Sequence, residues 1–162
     1  MNTTELKKII KKELNSLEPC EEVLEEFETK DLKDISNGSK VWFASRNVRT
    51  CKIALESGLF DVNMENNDGY GRTALMYAVC REDYNTVKLL LDNGADVNME
   101  NKYGRTALMY AVDIEDYNTV KLLLDNGADV NMKSDYGNTA LDYAKEYEIT
   151  EIIELLNKYT NK

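Results

Sequence analysis

GRTALMYAVCREDYNTVKLLLDNGADVNM, from Gly71 to Met99, recurs as GRTALMYAVDIEDYNTVKLLLDNGADVNM from Gly104 to Met132. Gly71, Gly104 and Gly137 stand 33 residues apart, as do Thr73, Thr106 and Thr139, and Tyr70, Tyr103 and Tyr136. A fixed period of this length marks a stacked repeat protein. One such unit cannot bury its apolar face alone, so its neighbours complete the core. Within a unit, Thr106 opens a short helix through Leu108 and Ala111. A turn follows at Ile114-Glu115-Asp116. A second helix carries Val120, Leu122, Leu123 and Leu124 at core spacing. Asn126-Gly127 ends it, because Gly takes the left-handed conformation at no steric cost. Ala128-Asp129-Val130-Asn131 leads into an extended hairpin or loop.

Outward from this stretch, residues 39–66 read as a diverged first repeat. Val41, Trp42, Phe43 and Ala44 supply its inner helix; Cys51, Ile53, Ala54 and Leu55 supply the outer one. Gly58 ends the outer helix. Cys51 falls where Val87 and Val120 fall and is expected in the core. The loop Glu65–Tyr70 is two residues longer than Glu100–Tyr103 and is expected to make the first hairpin protrude. Residues 67–99 and 100–132 are the two central units. In 133–162, Ile152, Ile153, Leu155 and Leu156 keep the core, while Asn157 and Lys158 make the outer end polar, as befits a capping unit.

Residues 1–38 lie outside the repeat. Leu6, Ile9, Ile10, Leu14 and Leu17 have helical spacing, with Thr3 or Thr4 as N-cap. Pro19 suits the first turn of a second helix, with Val23, Leu24 and Phe27 as its apolar stripe and Glu18, Glu21, Glu22, Glu25, Glu26 and Glu28 around it. Asn37-Gly38 is a turn signal. The segment is expected to cap the first repeat, although a second contact surface is the alternative.

The repeats resemble the ankyrin repeat family. The family's T-P-L-H-x-A is matched by Thr73–Ala78, Thr106–Ala111 and Thr139–Ala144. Its V-x-x-L-L-x-x-G-A-D-V-N is matched by Val87–Asn98 and Val120–Asn131, and its D-x-x-G-x-T hairpin by Asp68–Thr73, Asn101–Thr106 and Ser134–Thr139. The resemblance implies an all-α solenoid of helix-turn-helix repeats joined by hairpin loops, here with an N-terminal helical cap. Two features depart from the pattern. The motif's Pro is Ala in every copy and its His is Met76, Met109 or Asp142, so the Thr–His bonding must be replaced or lost. The inter-helix Gly is Glu82, Glu115 or Glu148. Glu at positive φ would cost about 1 kcal/mol relative to Gly. A rearranged turn is therefore expected, with Asp83, Asp116 or the Asn that follows helping to cap the outer helix.

The resemblance also implies that a partner protein binds at the hairpin tips and on the concave face of the inner helices. The corresponding candidates are Tyr70, Arg72, Lys102, Tyr103, Arg105, Tyr136 and Asn138 at the hairpins, and Cys80, Arg81, Asp113 and Ile114 at the inner-helix ends. Between Gly71–Asn101 and Gly104–Ser134 only four pairs differ: Cys80/Asp113, Arg81/Ile114, Glu100/Lys133 and Asn101/Ser134. They read as a scaffold retuned at its contact face, since exposed Lys88/Lys121 and Asp92/Asp125 have not changed; free drift of loop positions is the alternative. Tyrosines recur every seven residues. Tyr70, Tyr103 and Tyr136 would form a ladder of tips; Tyr77, Tyr110 and Tyr143 fall on inner helices as half-buried rings, and Tyr84 and Tyr117 are expected to pack where they open the outer helices. Tyr and Arg are enriched at binding hot spots, which makes Tyr70 with Arg72 and Tyr103 with Arg105 the leading anchors, against the alternative that the rings pack on neighbouring hairpins.

Composition narrows the function. The chain has 162 residues, is 43% hydrophobic and 31% charged, and carries a net charge of −10 with no His. This describes a soluble globular domain without the basic footprint that nucleic acid requires. No apolar run approaches the ~18 residues of a membrane span, and no secretory h-region opens the chain. Cys20, Cys51 and Cys80 form no CxxC pair and have no His to complete a zinc site, which points to reduced thiols in a cytoplasmic setting. Neither cofactor nor metal is expected. Without His or a phosphate-binding Gly loop, an enzyme is disfavoured; Asp113, Glu115 and Asp116 read as solvated charge. The expectation is a non-enzymatic protein-protein interaction module, monomeric when free. A narrower alternative is a small acidic inhibitor or immunity protein that neutralises a basic toxin or enzyme. A second is a secreted effector acting on a host protein.

Overall fold

A computed structural model describes residues 3–17, 25–27, 29–58 and 60–160. The expectations for Glu18, Pro19, Cys20, Glu21, Glu22, Val23, Leu24 and Glu28 lie outside the described residues. Nine α-helices are described in full: α1 Thr3–Leu17, α2 Asn37–Ala44, α3 Val48–Glu56, α4 Ala74–Cys80, α5 Tyr84–Asp92, α6 Ala107–Asp113, α7 Tyr117–Asp125, α8 Ala140–Glu146 and α9 Thr150–Thr160. A 3₁₀ turn spans Leu32–Asp34. The helices stack in two layers. The inner layer is α2, α4, α6, α8, and the outer layer is α3, α5, α7, α9, with α1 against α3. This is the all-α repeat solenoid that the period demands.

Local chemistry starts each helix. Thr73, Thr106 and Thr139 accept from the backbone N–H three residues on, and so cap α4, α6 and α8. The family's reciprocal Thr–His bond survives only in the last unit, where Asp142 Oδ2 accepts from Thr139 N at 2.9 Å. Met76 and Met109 give up that bond and enter the core instead. Asp83 and Asp116 cap α5 and α7. The rearranged turn expected before them does not form. Glu82, Glu115 and Glu148 adopt φ of 57°, 57° and 58°, in the left-handed region that the family's Gly would occupy. The carbonyl bonds around the turn hold this geometry: Glu115 N donates to Val112 O at 3.0 Å and Asp116 N to Ala111 O at 3.1 Å.

Val41, Trp42, Phe43 and Ala44 lie on α2, and Cys51, Ile53, Ala54 and Leu55 on α3, with Cys51 wholly buried. Burial pushes its thiol up to about 12. Asn37-Gly38 is not a turn. Ser36 accepts from Ser39 N at 3.2 Å, and Asn37 and Gly38 become the first turn of α2. Leu6, Ile10 and Leu14 of α1 are buried, Glu13 pairs with Arg49 at 2.8 Å, and the Phe27 and Phe43 rings meet at 5.6 Å. Successive units are joined by an asparagine of the D-V-N motif. Asn98 Oδ1 accepts from Asp129 N at 2.8 Å and its Nδ2 donates to Gly127 O at 3.1 Å; Asn63 repeats this one unit earlier on Asp96 N and Gly94 O.

Candidate functional site

The hairpins bring Tyr70, Tyr103 and Tyr136 to the edge of the stack. Tyr70 O accepts from Lys102 N and Tyr103 O from Asp135 N, both at 2.9 Å, so each tip is tied to the next. The tight approach needs Gly104, at φ 66°, where a Cβ would lie 2.9 Å from Asp135 N. The Tyr70 and Tyr103 rings touch at 5.8 Å and remain 49% and 41% exposed. Tyr136 has no ring partner among the described residues and is 76% exposed.

Arg72 and Arg105 do not project from the tips. Each lies along its own inner helix as a half-buried cation. The Arg72 guanidinium sits 4.4 Å from the Tyr77 ring and 5.0 Å from that of Tyr70. That of Arg105 sits 4.6 Å from Tyr110 and 5.1 Å from Tyr143, and so bridges two repeats. Stacked on aromatic faces, both cations gain quadrupole attraction. Each also has a carboxylate, from a different source. Asp68, in the longer first hairpin, pairs with Arg72 at 3.2 Å and accepts from the Tyr77 hydroxyl. Asp113, at the end of α6, pairs with Arg105. The extra hairpin residues and the Cys80/Asp113 difference therefore do related work. Cys80 needs no charge because Asp68 already serves Arg72; Asp113 supplies what the shorter hairpin lacks.

The inner-helix tyrosines organise this face, Tyr77 and Tyr110 half-buried as expected and Tyr143 buried. Their hydroxyls hold the hairpin bases: Asn66 Nδ2 donates to Tyr77 at 2.9 Å, Asn101 Nδ2 to Tyr110 at 2.8 Å, and Ser134 shares a 2.9 Å bond with Tyr143. Burial, aided by the bond to Asp68, pushes the Tyr77 hydroxyl up to about 12. Asn101 and Ser134 are buried, so that differing pair is no contact position; the shorter Ser still reaches its tyrosine. Glu100 and Lys133 are exposed, as is Arg81, while Ile114 packs half-buried against the core. Lys102 is exposed and Asn138 half-buried. Tyr84 and Tyr117, expected to pack, are largely exposed on the outer helices.

Of the candidates, Tyr70, Lys102, Tyr103 and Tyr136 at the hairpins and Arg81 at an inner-helix end are exposed. Glu146 and Tyr147, which hold the same inner-helix-end positions in the last unit as Asp113 and Ile114 in the unit before, are exposed as well. Among the described residues no helix is long and apolar enough to cross a membrane.

A family model described as ankyrin repeats in three copies matches residues 12–101, and one described as ankyrin repeats in many copies matches residues 90–144. No curated protein matches the chain.

Proposed function

The chain belongs to the ankyrin repeat family, and from that premise we propose that it is a non-enzymatic module whose hairpin tips and inner-helix ends dock a partner protein. Proteins of this family are generally protein-protein interaction modules. The observation that carries the reading is the row of hairpin-tip rings, Tyr70, Tyr103 and Tyr136, the first two tied to the next hairpin and stacked on one another, and all still exposed, Tyr136 to 76%. Tyrosine combines a large rigid contact area with a hydroxyl that stays solvated, which suits an interface.

Charge favours a basic partner. Residues 57–162 carry 10 Lys and Arg against 19 Asp and Glu, so long-range attraction would speed encounter with a cationic surface. This supports the narrower reading, an acidic inhibitor of a basic toxin or enzyme.

The test is capture of the partner by the full chain, followed by affinity measurement with a Tyr103→Ala, Tyr136→Ala double variant. Arg105 is left intact because it is spent on internal contacts. Loss of two hot-spot rings should weaken binding by more than about 2 kcal/mol. A folded double variant that binds at full strength removes the tips from the interface.

A further inference from the structure

α1 and α3 carry charge against the trend of the chain. Together they hold six Lys and Arg against three Glu, in a molecule of net charge −10. The two helices lie side by side, and an open groove of about 590 Å³ runs between them. Its apolar lining is Ile9 on α1 with Val48 and Ile53 on α3, all three half-buried. Its borders are charged. Glu13 is buried at the groove and is spent on Arg49, at 2.8 Å. Lys12 and Lys52 are exposed and form no salt bridge among the described residues. Glu56 is the one other acid on the lining.

We propose that this groove docks an amphipathic helix of a partner protein, with an apolar stripe set on Ile9, Val48 and Ile53 and carboxylates over Lys12 and Lys52. It is a second surface, distinct from the tip row. A furrow between two neighbouring helices takes the ridge of a third, whose side chains three and four residues apart fill it. Charge then selects the helix. With Glu13 neutralised by Arg49, the uncommitted rim charges are mainly cationic, so an acidic flank gains attraction and a basic flank meets like charge. A lipid surface fits less well. α1 turns Leu6, Ile10 and Leu14 into the core, which leaves no apolar stripe on it to enter a bilayer.

The test uses the full chain and two acetylated, amidated peptides titrated under methyl NMR. One is two copies of Glu-Leu-Ala-Glu-Leu-Leu-Glu, and the other has Lys for every Glu. At about 0.15 M salt the Debye length is about 8 Å, so the acids of the later repeats are screened and the groove's own rim decides. The acidic peptide should shift the Ile9, Val48 and Ile53 methyl signals, and the lysine peptide should leave them in place. Lys12→Glu with Lys52→Glu should weaken the acidic peptide at least about tenfold, while Lys12→Arg with Lys52→Arg keeps its affinity within about twofold. Val48→Asp, which puts a charge on the floor at the first turn of α3, should also weaken it about tenfold; circular dichroism checks the fold of each variant. Unmoved methyl signals, equal shifts with both peptides, or full-strength binding to the charge-reversed variant overturns the proposal. So does loss of the peptide in the Tyr103→Ala, Tyr136→Ala variant, which would place it at the tips. Groove shifts on raising the protein concentration alone would give the groove to a second copy, and tighter binding to phosphatidylserine vesicles than to the acidic peptide would give it to a lipid surface; either result also overturns it.

Discussion

Glu82, Glu115 and Glu148 hold a backbone conformation in which Cβ crowds the following carbonyl oxygen, at a cost of about 1–2 kcal/mol per residue. The surrounding turn keeps them there because its two carbonyl bonds and the Asp caps of α5 and α7 depend on that path. Glu115→Gly should therefore stabilise the protein by about 1 kcal/mol, read as a higher denaturant midpoint at unchanged slope. A lower midpoint would show that the Glu side chain contributes something the backbone does not reveal. The same scale explains two of the four differences between the duplicated copies. One, Asn101/Ser134, is buried hydrogen-bond chemistry. Another, Cys80/Asp113, follows the carboxylate that each arginine finds. Neither was legible from the aligned copies. Alignment shows which positions differ, but not that a longer hairpin elsewhere delivers Asp68 to Arg72.

At the scale of the element, the helices are short and depend on their neighbours. α4, α6 and α8 have seven residues each, below the length at which an isolated helix is stable in water. Their caps were legible, since Thr and Asp at a helix start have a local reason to be there. The joints between units were not. Asn98 reads as part of a loop, yet it donates to one backbone group of the next repeat and accepts from another. Asn98→Ala removes both bonds and should cost about 1–3 kcal/mol. Native-state hydrogen exchange should show the loss as faster exchange at Asp129 N. Unchanged exchange there would mean that packing alone holds the joint. Lys88–Asp92 and Lys121–Asp125, exposed pairs on the outer helices, contribute little by comparison, because solvent screens them.

Across the whole molecule, we propose that residues 1–38 act as the cap that the first repeat needs. Leu6, Ile10, Leu14 and Phe27 leave water in doing so, and burying a side chain of this size is worth about 1.5–3 kcal/mol. A chain beginning at Asp31 should unfold at a markedly lower denaturant concentration and bind a hydrophobic dye. An unchanged midpoint would make the segment an appendage rather than a cap. The amino-acid sequence by itself determined the period, the two-helix unit, the capping residues, the buried leucines and the family. Each of these is encoded within one repeat, at spacings of a few residues, where helix geometry dictates the outcome. Only the tertiary structure decided that Arg72 and Arg105 lie on tyrosine rings along the inner helices, and that buried Asn101 and Ser134 hold inner-helix tyrosines. Those outcomes depend on which hairpin and helix the stack brings within reach of a long side chain, and no spacing along the chain records that distance.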